Sequence, residues 1–217
     1  ESEDNWWGPA GLTGPCGSSS EIFYWQGDGE FPPAGSNPGT DKDNRLEIWN
    51  DVFMQYNKKN NQTFVLLDKK NVDTGMGLER ILAIINKVPS SYETDVFLPL
   101  MKKIEDLSTS YNIKSARIVA DHIRASVFLI SDGVTPSNVE RGYILRRLIR
   151  RAIRHASLIE INSDFLEDLS KIVIKTYGTF YPNLTEFQKS IVEELQKEEA
   201  KFKKALASGI RQFERIQ

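Results

Sequence analysis

The spacing of apolar residues changes near residue 88. Before it, short β-type runs at 22–25, 47–56 and 64–67 are separated by Gly-, Pro- and Asn-containing stretches at 27–29, 32–39 and 57–61. Runs of this length between turn residues indicate strands, and short connections favour hairpins over crossover helices. We therefore predict an antiparallel sheet in this half.

Beyond Val88 the apolar residues recur with helical spacing, in segments at 93–108, 115–131, 138–156, 164–177 and 185–216. Asp132-Gly133 marks a helix end, and Ser137 or Asn138 is suited to cap the next helix. The last apolar stripe continues to Gln217 without a capping signal, so we expect the chain to stop within a helix. The prediction is an α+β domain at 1–88, followed by an all-α domain at 89–217 that is truncated in its last helix.

The composition excludes several classes of protein. With 217 residues and 40% hydrophobic content, the chain can form a sizeable core. It has no run of about 20 apolar residues, and its acidic first residues are unlike a signal peptide, so we expect a protein that stays in the cytoplasm. Cys16 is its one cysteine and only two histidines accompany it, which argues against a disulfide or a closed zinc site. A required metal should be hard, such as Mg²⁺.

Positive charge is concentrated in one segment. Between Asn138 and His155 there are six arginines and one acid, a local charge of +5 in a chain of net charge −2. On a helix, five of these arginines and Tyr143 share an arc of roughly 140°; the five are Arg146, Arg147, Arg150, Arg151 and Arg154. A solvated charged face is the alternative, but such faces usually alternate in sign. Without matching acids nearby, the arc favours a polyanion ligand.

A glycine-containing string from Asp73 to Arg80 precedes a short apolar-periodic segment. Gly75 and Gly77 would let a ligand approach the backbone at the start of a helix, and Arg80 would add donors for a phosphate. By itself this pair of glycines is weak evidence, because Gly-x-Gly before a helix is common and more often marks a structural turn. It lacks the third glycine of a dinucleotide site and the Gly-Lys-Ser/Thr of a P-loop.

The string from Gly75 to Arg80 resembles motif 3 of class II aminoacyl-tRNA synthetases. Further blocks resemble the alanine-specific family in its own order, and they lie at 5–7, 13–24, 47–55, 119–124 and 131–151. Together they cover nearly the whole chain.

This resemblance implies part of a class II antiparallel sheet with a flanking helix, followed by a helical domain that recognises the tRNA acceptor stem. It implies ATP, with Mg²⁺, at Gly75, Gly77 and Arg80. It also implies an alanine pocket lined by Trp7, Asn50, Val52 and Asp73. Asp73 would hold the ammonium group and Asn50 the carboxylate, and no side-chain acid or base is expected.

For the helical half, the resemblance implies that Asn138 contacts an identity base pair of the tRNA(Ala) acceptor stem. The five arginines of the arc and Tyr143 would hold the RNA backbone. The family activates alanine with ATP to alanyl-adenylate, releasing pyrophosphate, and then transfers the alanyl group to the 3′ end of tRNA. Motif 1 and the motif 2 arginine lie upstream in the family, so we expect the chain alone to bind tRNA without activating alanine, unless another chain supplies them.

Alternatives remain open for the whole chain and for single residues. The chain could be a class II synthetase of another specificity, or a tRNA-binding module without activity. The tryptophans Trp6, Trp7 and Trp49 could be core aromatics, and Asp73 could cap a turn. Glu21 and Glu47 could help to hold Mg²⁺, although solvated carboxylates are preferred. Cys16 is taken as structural and His122 as a packing residue.

Overall fold

The computed structural model describes residues 5–60 and 62–214. The chain divides into two compact units, Glu1–Thr94 and Asp95–Gln217. The first unit is built on strands and the second on helices, so the predicted α+β class with a following all-α part is confirmed.

The first unit contains a four-stranded sheet in which every neighbouring pair is antiparallel. Its strands follow chain order and are β1 (Trp6–Trp7), β2 (Gly14–Trp25), β3 (Arg45–Lys58) and β4 (Phe64–Met76). Helix α1 (Leu78–Ile85) follows β4 after a single residue, and a 3₁₀ turn covers Ser91–Glu93. The predicted hairpins are therefore present, with the short flanking helix directly after the glycine string.

Two strands are much longer than their apolar runs predicted. β4 was predicted at 64–67 but continues to Met76, and β2 was predicted at 22–25 but begins at Gly14. The mostly polar residues at 68–75 show no apolar alternation, yet residues 71–75 pair with residues 50–54 of β3. Backbone pairing with an existing strand, rather than side-chain hydrophobicity, extends these elements.

The tryptophans of the sheet are not core residues. Trp6, Trp7 and Trp49 are 38–40% exposed, whereas Cys16 and Val52 are buried. The core-aromatic alternative is therefore wrong for these three side chains, and the assignment of Cys16 as a structural residue agrees with its burial.

The second unit contains the helices α2 (Leu98–Leu107), α3 (Ile113–Ser131), α4 (Glu140–Leu158), α5 (Leu166–Tyr177), α6 (Pro182–Glu186) and α7 (Gln188–Glu214). Its core is formed by aliphatic residues at helical spacing, among them Ile123, Leu145, Ile149, Leu169, Ile191 and Leu195. α3 and α4 pack closely along their lengths. In the described residues, no helix is long and apolar enough to cross a membrane.

Two predicted helical segments differ clearly from the structure. α2 begins at Leu98 rather than 93, with Pro99 in its first turn. The predicted segment at 185–216 is divided into α6 and α7, which meet at Phe187. The expected continuation of this segment to Gln217 lies outside the described residues.

The predicted cap of α4 was wrong. The helix begins at Glu140 after Val139, and no side chain caps it. Glu140 has a φ of 47°, so the chain bends just before the helix, and the hydroxyl of Ser137 bonds to the backbone of Val139 instead. The predicted end of α3 at Asp132-Gly133 is confirmed, with Gly133 at a φ of 83°.

Candidate functional site

Four of the candidate site residues lie on one face of the sheet. Asn50 is directly opposite Gly75, and Val52 is directly opposite Asp73, in the register of β3 with β4. Side chains alternate between the two faces along a strand, and directly paired residues share a face. The pairing therefore brings together residues more than 20 positions apart in sequence.

Trp7 reaches this face through β1 and β2. It pairs with Gly17, and Ser19, two residues further along β2, pairs with Val52. Its neighbour Trp6 packs on other aromatic rings, 5.8 Å from Tyr56 between centroids. Alternation along β1 places Trp7 on the face opposite to that of Trp6.

The backbone of Asn50 is held by a side chain from the neighbouring strand β4. Thr74 Oγ1 donates a hydrogen bond to the carbonyl oxygen of Asn50 at 3.2 Å, and Trp49 Nε1 donates to Thr74 Oγ1. A Cβ atom at Gly75 would lie 3.4 Å from Asn50 Oδ1. Glycine at this position leaves room for the Asn50 amide above β4.

The chemistry of this face suits a small ligand with both charges. Val52 is 6% exposed and lies directly opposite Asp73, which is exposed, and two residues from Asn50 on the same face. The carboxylate can accept from an ammonium group, and the amide can donate to a carboxylate. Asp73 lies inside β4, four residues before the N-cap Gly77, so the alternative in which it caps a turn is wrong.

Arg80 is anchored to β3 at the start of α1. Its Nη1 donates to the carbonyl oxygen of Glu47 at 2.6 Å and lies 3.3 Å from Glu47 Oε2. A Cβ atom at Gly77 would lie only 3.0 Å from Arg80 Cδ, so glycine lets the arginine fold back over the turn. Glu47, expected to be solvated or to hold a metal ion, is in fact the ion-pair partner of Arg80.

Acidic side chains on the sheet do not form a cluster. Glu21 is directly opposite Asn50 on β2. Across residues 5–60 and 62–214, no group of three His, Cys, Asp or Glu side chains is arranged to hold a metal ion.

The arginines of α4 divide into two groups in the structure. Arg147, Arg151 and Arg154 are exposed, while Arg146 and Arg150 are partly buried. The guanidinium of Arg146 lies 5.7 Å from the ring centroid of Tyr143. The exposed arginines and Tyr143 form a surface that can contact phosphates and a base or ribose.

Arg150 has a buried acidic partner. Its Nε donates to Glu198 Oε1 at 2.6 Å, and its guanidinium lies 5.3 Å from the ring centroid of Phe202. The Glu198 side chain is 5% exposed. The expectation that the arc has no matching acid was therefore wrong for Arg150, because the acid comes from α7, 48 residues away.

The two histidines lie next to this surface. Burial and the charges of Arg151 and Arg154 lower the pKa of His155. His122 is 7% exposed, as expected of a packing residue, and the hydrogen bond from its ring lowers the pKa of Asp121.

Ser137 and Gly142 were not recognised in the sequence as site residues. Ser137 N donates to the carbonyl oxygen of Gly142 at 3.0 Å, and a Cβ atom at Gly142 would lie 2.3 Å from Ser137 Oγ. This contact packs the segment that carries Asn138 against the first turn of α4. A glycine inside a helical pattern was the available signal, since glycine weakens a helix unless close packing requires it.

Comparison with known proteins adds a family match over the whole chain. The family model described as tRNA synthetases class II (A) matches residues 1–217. The chain is 44% identical to the alanine–tRNA ligase of Treponema pallidum (strain Nichols) in an alignment of 223 residues, which covers 98% of the chain and 36% of that protein. It is 47% identical to the alanine–tRNA ligase of Pseudoalteromonas translucida (strain TAC 125) over 209 residues, covering 95% of the chain and 24% of that protein.

A third relative, the alanine–tRNA ligase of Borrelia garinii subsp. bavariensis, is 44% identical over 220 residues, which cover 98% of the chain and 37% of that protein. The chain thus spans between 24% and 37% of the length of these three relatives.

Proposed function

The chain belongs to the family of class II tRNA synthetases (A), and from this premise we propose that it is part of an alanine–tRNA ligase. The ligase would activate alanine with ATP to alanyl-adenylate and transfer it to the 3′ end of tRNA(Ala), acting in the cytoplasm. The observation that carries this proposal is the shared face of Asn50, Val52 and Asp73, whose chemistry fits a small amino acid.

In this proposal, alanine binds on the face formed by β3 and β4. Asp73 accepts from its ammonium group, and Asn50 donates to its carboxylate. Val52 and the indole of Trp7 enclose the methyl group. Such a pocket rejects large side chains by steric exclusion, but it discriminates against glycine or serine by only about 1–3 kcal/mol.

ATP would bind at the junction of β4 and α1. Gly75 and Gly77 leave the backbone accessible, and Arg80 supplies donors for the nucleotide from a position fixed by its bonds to Glu47. Mg²⁺ bound to the nucleotide would offset phosphate charge. No set of described side chains is assigned to the ion.

The chemical step requires positioning rather than acid or base catalysis. The alanine carboxylate attacks the α-phosphorus of ATP, a carboxylate–phosphorus bond forms and pyrophosphate leaves. The ribose hydroxyl at the 3′ end of tRNA then attacks the mixed anhydride and releases AMP. No block of this chain resembles motif 1 or the motif 2 arginine, so we propose that the chain alone does not complete the adenylation.

The helical unit would bind the acceptor stem of tRNA(Ala). Asn138 would contact an identity base pair in the minor groove, the accessible groove of an A-form helix. Arg147, Arg151 and Arg154 would contact phosphates, with Tyr143 beside them. Arg146 and Arg150 are bonded within the protein, to Asn138 and Glu198, so a purely phosphate-binding role is less suited to them.

The alanine pocket can be tested with a non-hydrolysable alanyl-adenylate analogue and two matched variants. Asp73→Asn removes the proposed ammonium partner, whereas Asp51→Asn makes the same change on the opposite face of the sheet. We expect Asp73→Asn to weaken binding about 10- to 100-fold, as for loss of a charge-assisted hydrogen bond. Asp51→Asn should leave affinity unchanged. Equal effects of both variants, or no preference for the alanyl over a leucyl analogue, would contradict the proposed pocket.

Catalytic completeness needs a separate measurement. Alanine-dependent exchange of pyrophosphate into ATP should be absent for the isolated chain, while an acceptor-stem RNA hairpin binds it. Robust exchange would refute the proposed dependence on motif 2. If the chain binds neither the alanyl-adenylate analogue nor the RNA hairpin, a different function is favoured.

A further inference from the structure

We infer that Arg146 is a positioning residue that sets the orientation of the Asn138 side-chain amide, so that Asn138 presents its NH₂ group to the RNA. This inference rests on the proposed RNA-binding function. It assigns to Arg146 a role in choosing the base pair, in place of a contact with the phosphate backbone.

The orientation follows from the chemistry of the two groups. Arg146 Nη1 donates a hydrogen bond to Asn138 Oδ1. A guanidinium group has five donors and no acceptor, and an amide has one oxygen that accepts and one nitrogen that donates. The amide oxygen must therefore face Arg146, and the NH₂ group is turned away from it. Without this partner, the two orientations of the amide would differ little in energy.

Arg146 is itself held in place. It is partly buried, and its guanidinium lies 5.7 Å from the Tyr143 ring centroid. The preceding residue Leu145 is fully buried, which fixes the helix that carries the arginine. A donor on a rigid element can orient its acceptor more accurately than one on a free side chain.

The backbone that carries Asn138 is fixed on both sides. Ser137 N donates to the carbonyl oxygen of Gly142 at 3.0 Å, and Ser137 Oγ donates to the carbonyl oxygen of Val139 at 3.0 Å. Asn138 is exposed between these two anchored residues. Arg146 therefore has to fix only the side-chain torsions of Asn138.

A fixed NH₂ group selects acceptors in the RNA. In the minor groove these are purine N3, pyrimidine O2 and the ribose 2′-hydroxyl, whereas the guanine amino group is a donor. Loss of the Arg146 bond would let the amide turn over and accept instead. The result would be a changed preference among base pairs, whereas loss of a phosphate contact weakens binding to all sequences alike.

The test measures the affinity of the chain for an RNA hairpin with the acceptor stem of tRNA(Ala), and for hairpins with each of the first four base pairs exchanged in turn. Arg146→Met is compared with Asn138→Ala and with the double variant. Arg147→Met is the matched control, because it removes the same charge from an exposed neighbour on α4. Arg146→Lys keeps a charged donor and tests for rescue.

We expect Asn138→Ala and Arg146→Met each to reduce the preference for the unaltered hairpin by on the order of tenfold. The double variant should show no further reduction, and Arg146→Lys should retain part of the preference. Arg147→Met should lower affinity for every hairpin by one common factor. Far-ultraviolet circular dichroism and thermal unfolding of each variant show that the helices are intact.

Several outcomes would overturn the inference. One is an Arg146→Met variant that behaves like Arg147→Met, with preference unchanged. Another is additive loss of preference in the double variant, and a third is unfolding of Arg146→Met combined with full preference loss in Arg146→Lys. If the unmodified chain binds no hairpin, or binds all of them equally, the proposed RNA function fails and the inference fails with it.

Discussion

Arg150 Nε lies 2.6 Å from Glu198 Oε1, and this bond joins the most basic helix of the chain to α7. The carboxylate is 5% exposed, while the arginine side chain is 35% exposed. A buried carboxylate needs its partner, because an unpaired charge in the protein interior is strongly unfavourable. Arg150 therefore forms an ion pair within the protein, whereas its position in an arginine-rich segment had indicated a contact with a polyanion.

Arg150→Met should lower the free energy of unfolding by about 1–3 kcal/mol, less than for a fully buried pair because the guanidinium is partly solvated. Glu198→Gln should have a smaller effect, since it removes the buried charge together with its ion pair. Urea unfolding followed by circular dichroism measures both. Equal stability of Arg150→Met and the unmodified chain would show that the pair contributes nothing.

Arg147→Ala and Arg151→Ala should weaken binding of the acceptor-stem hairpin and flatten its dependence on salt. Each exposed arginine that contacts a phosphate accounts for about one unit of the slope of log affinity against log salt concentration. Arg150→Ala is the comparison. It should lower the free energy of unfolding and leave the slope of the salt dependence nearly unchanged. An unchanged slope in the Arg147 and Arg151 variants would return these residues to the solvated-face alternative.

Gly142→Ala should destabilise the helical unit by about 1–3 kcal/mol. The new Cβ atom would lie 2.3 Å from Ser137 Oγ and 2.5 Å from the carbonyl oxygen of Thr135, so the segment carrying Asn138 must move. We also expect the variant to lose its preference among acceptor-stem hairpins. Thermal unfolding and the hairpin affinities check the two effects.

Gly209→Ala is the control for this change. Gly209 lies within α7, and a Cβ atom there would meet nothing within 4 Å. Alanine should stabilise the helix by about 0.5–1 kcal/mol through its higher helix propensity. The prediction for Gly142 is wrong if both substitutions raise stability.

The stability of the helical unit should fall as the pH drops below the ordinary His155 pKa of 6.5. Burial and the charges of Arg151, Arg154, His122 and Lys114 lower the pKa of His155 in the folded protein. The unfolded chain therefore takes up this proton first as the pH falls, and the loss of stability ends once the pH is below the folded pKa.

His155→Gln should remove this part of the pH dependence while leaving an amide next to Ser115, whose Oγ lies 3.1 Å from His155 Nδ1. Urea unfolding between pH 5 and pH 7.5 compares the two proteins. If their pH profiles are parallel, His155 does not take up a proton on unfolding.

Much of this protein was determined by local sequence. The turn chemistry and β-type runs before Val88 and the helical spacing after it predicted the α+β class, and the family blocks predicted membership in the class II synthetases. These features depend on neighbours within a few residues or on whole blocks that resemble a family. Both are visible without coordinates.

The tertiary structure decided how distant residues pair. It placed Asn50 opposite Gly75 and Val52 opposite Asp73. This register could not be predicted from the sequence, because the mostly polar residues 68–75 lack the alternating apolar pattern that normally specifies strand register. It also gave Arg150 a carboxylate from α7.

The same holds for the segment before α4, where the sequence suggested a cap at Ser137 or Asn138. In the structure Ser137 packs against Gly142 and its hydroxyl accepts a hydrogen bond from Val139 N, while Arg146 donates to the amide oxygen of Asn138. Composition, periodicity and family resemblance indicate which residues are available for the proposed RNA and substrate. Only three-dimensional packing decides which of their atoms are already bonded to the protein and which remain for a ligand.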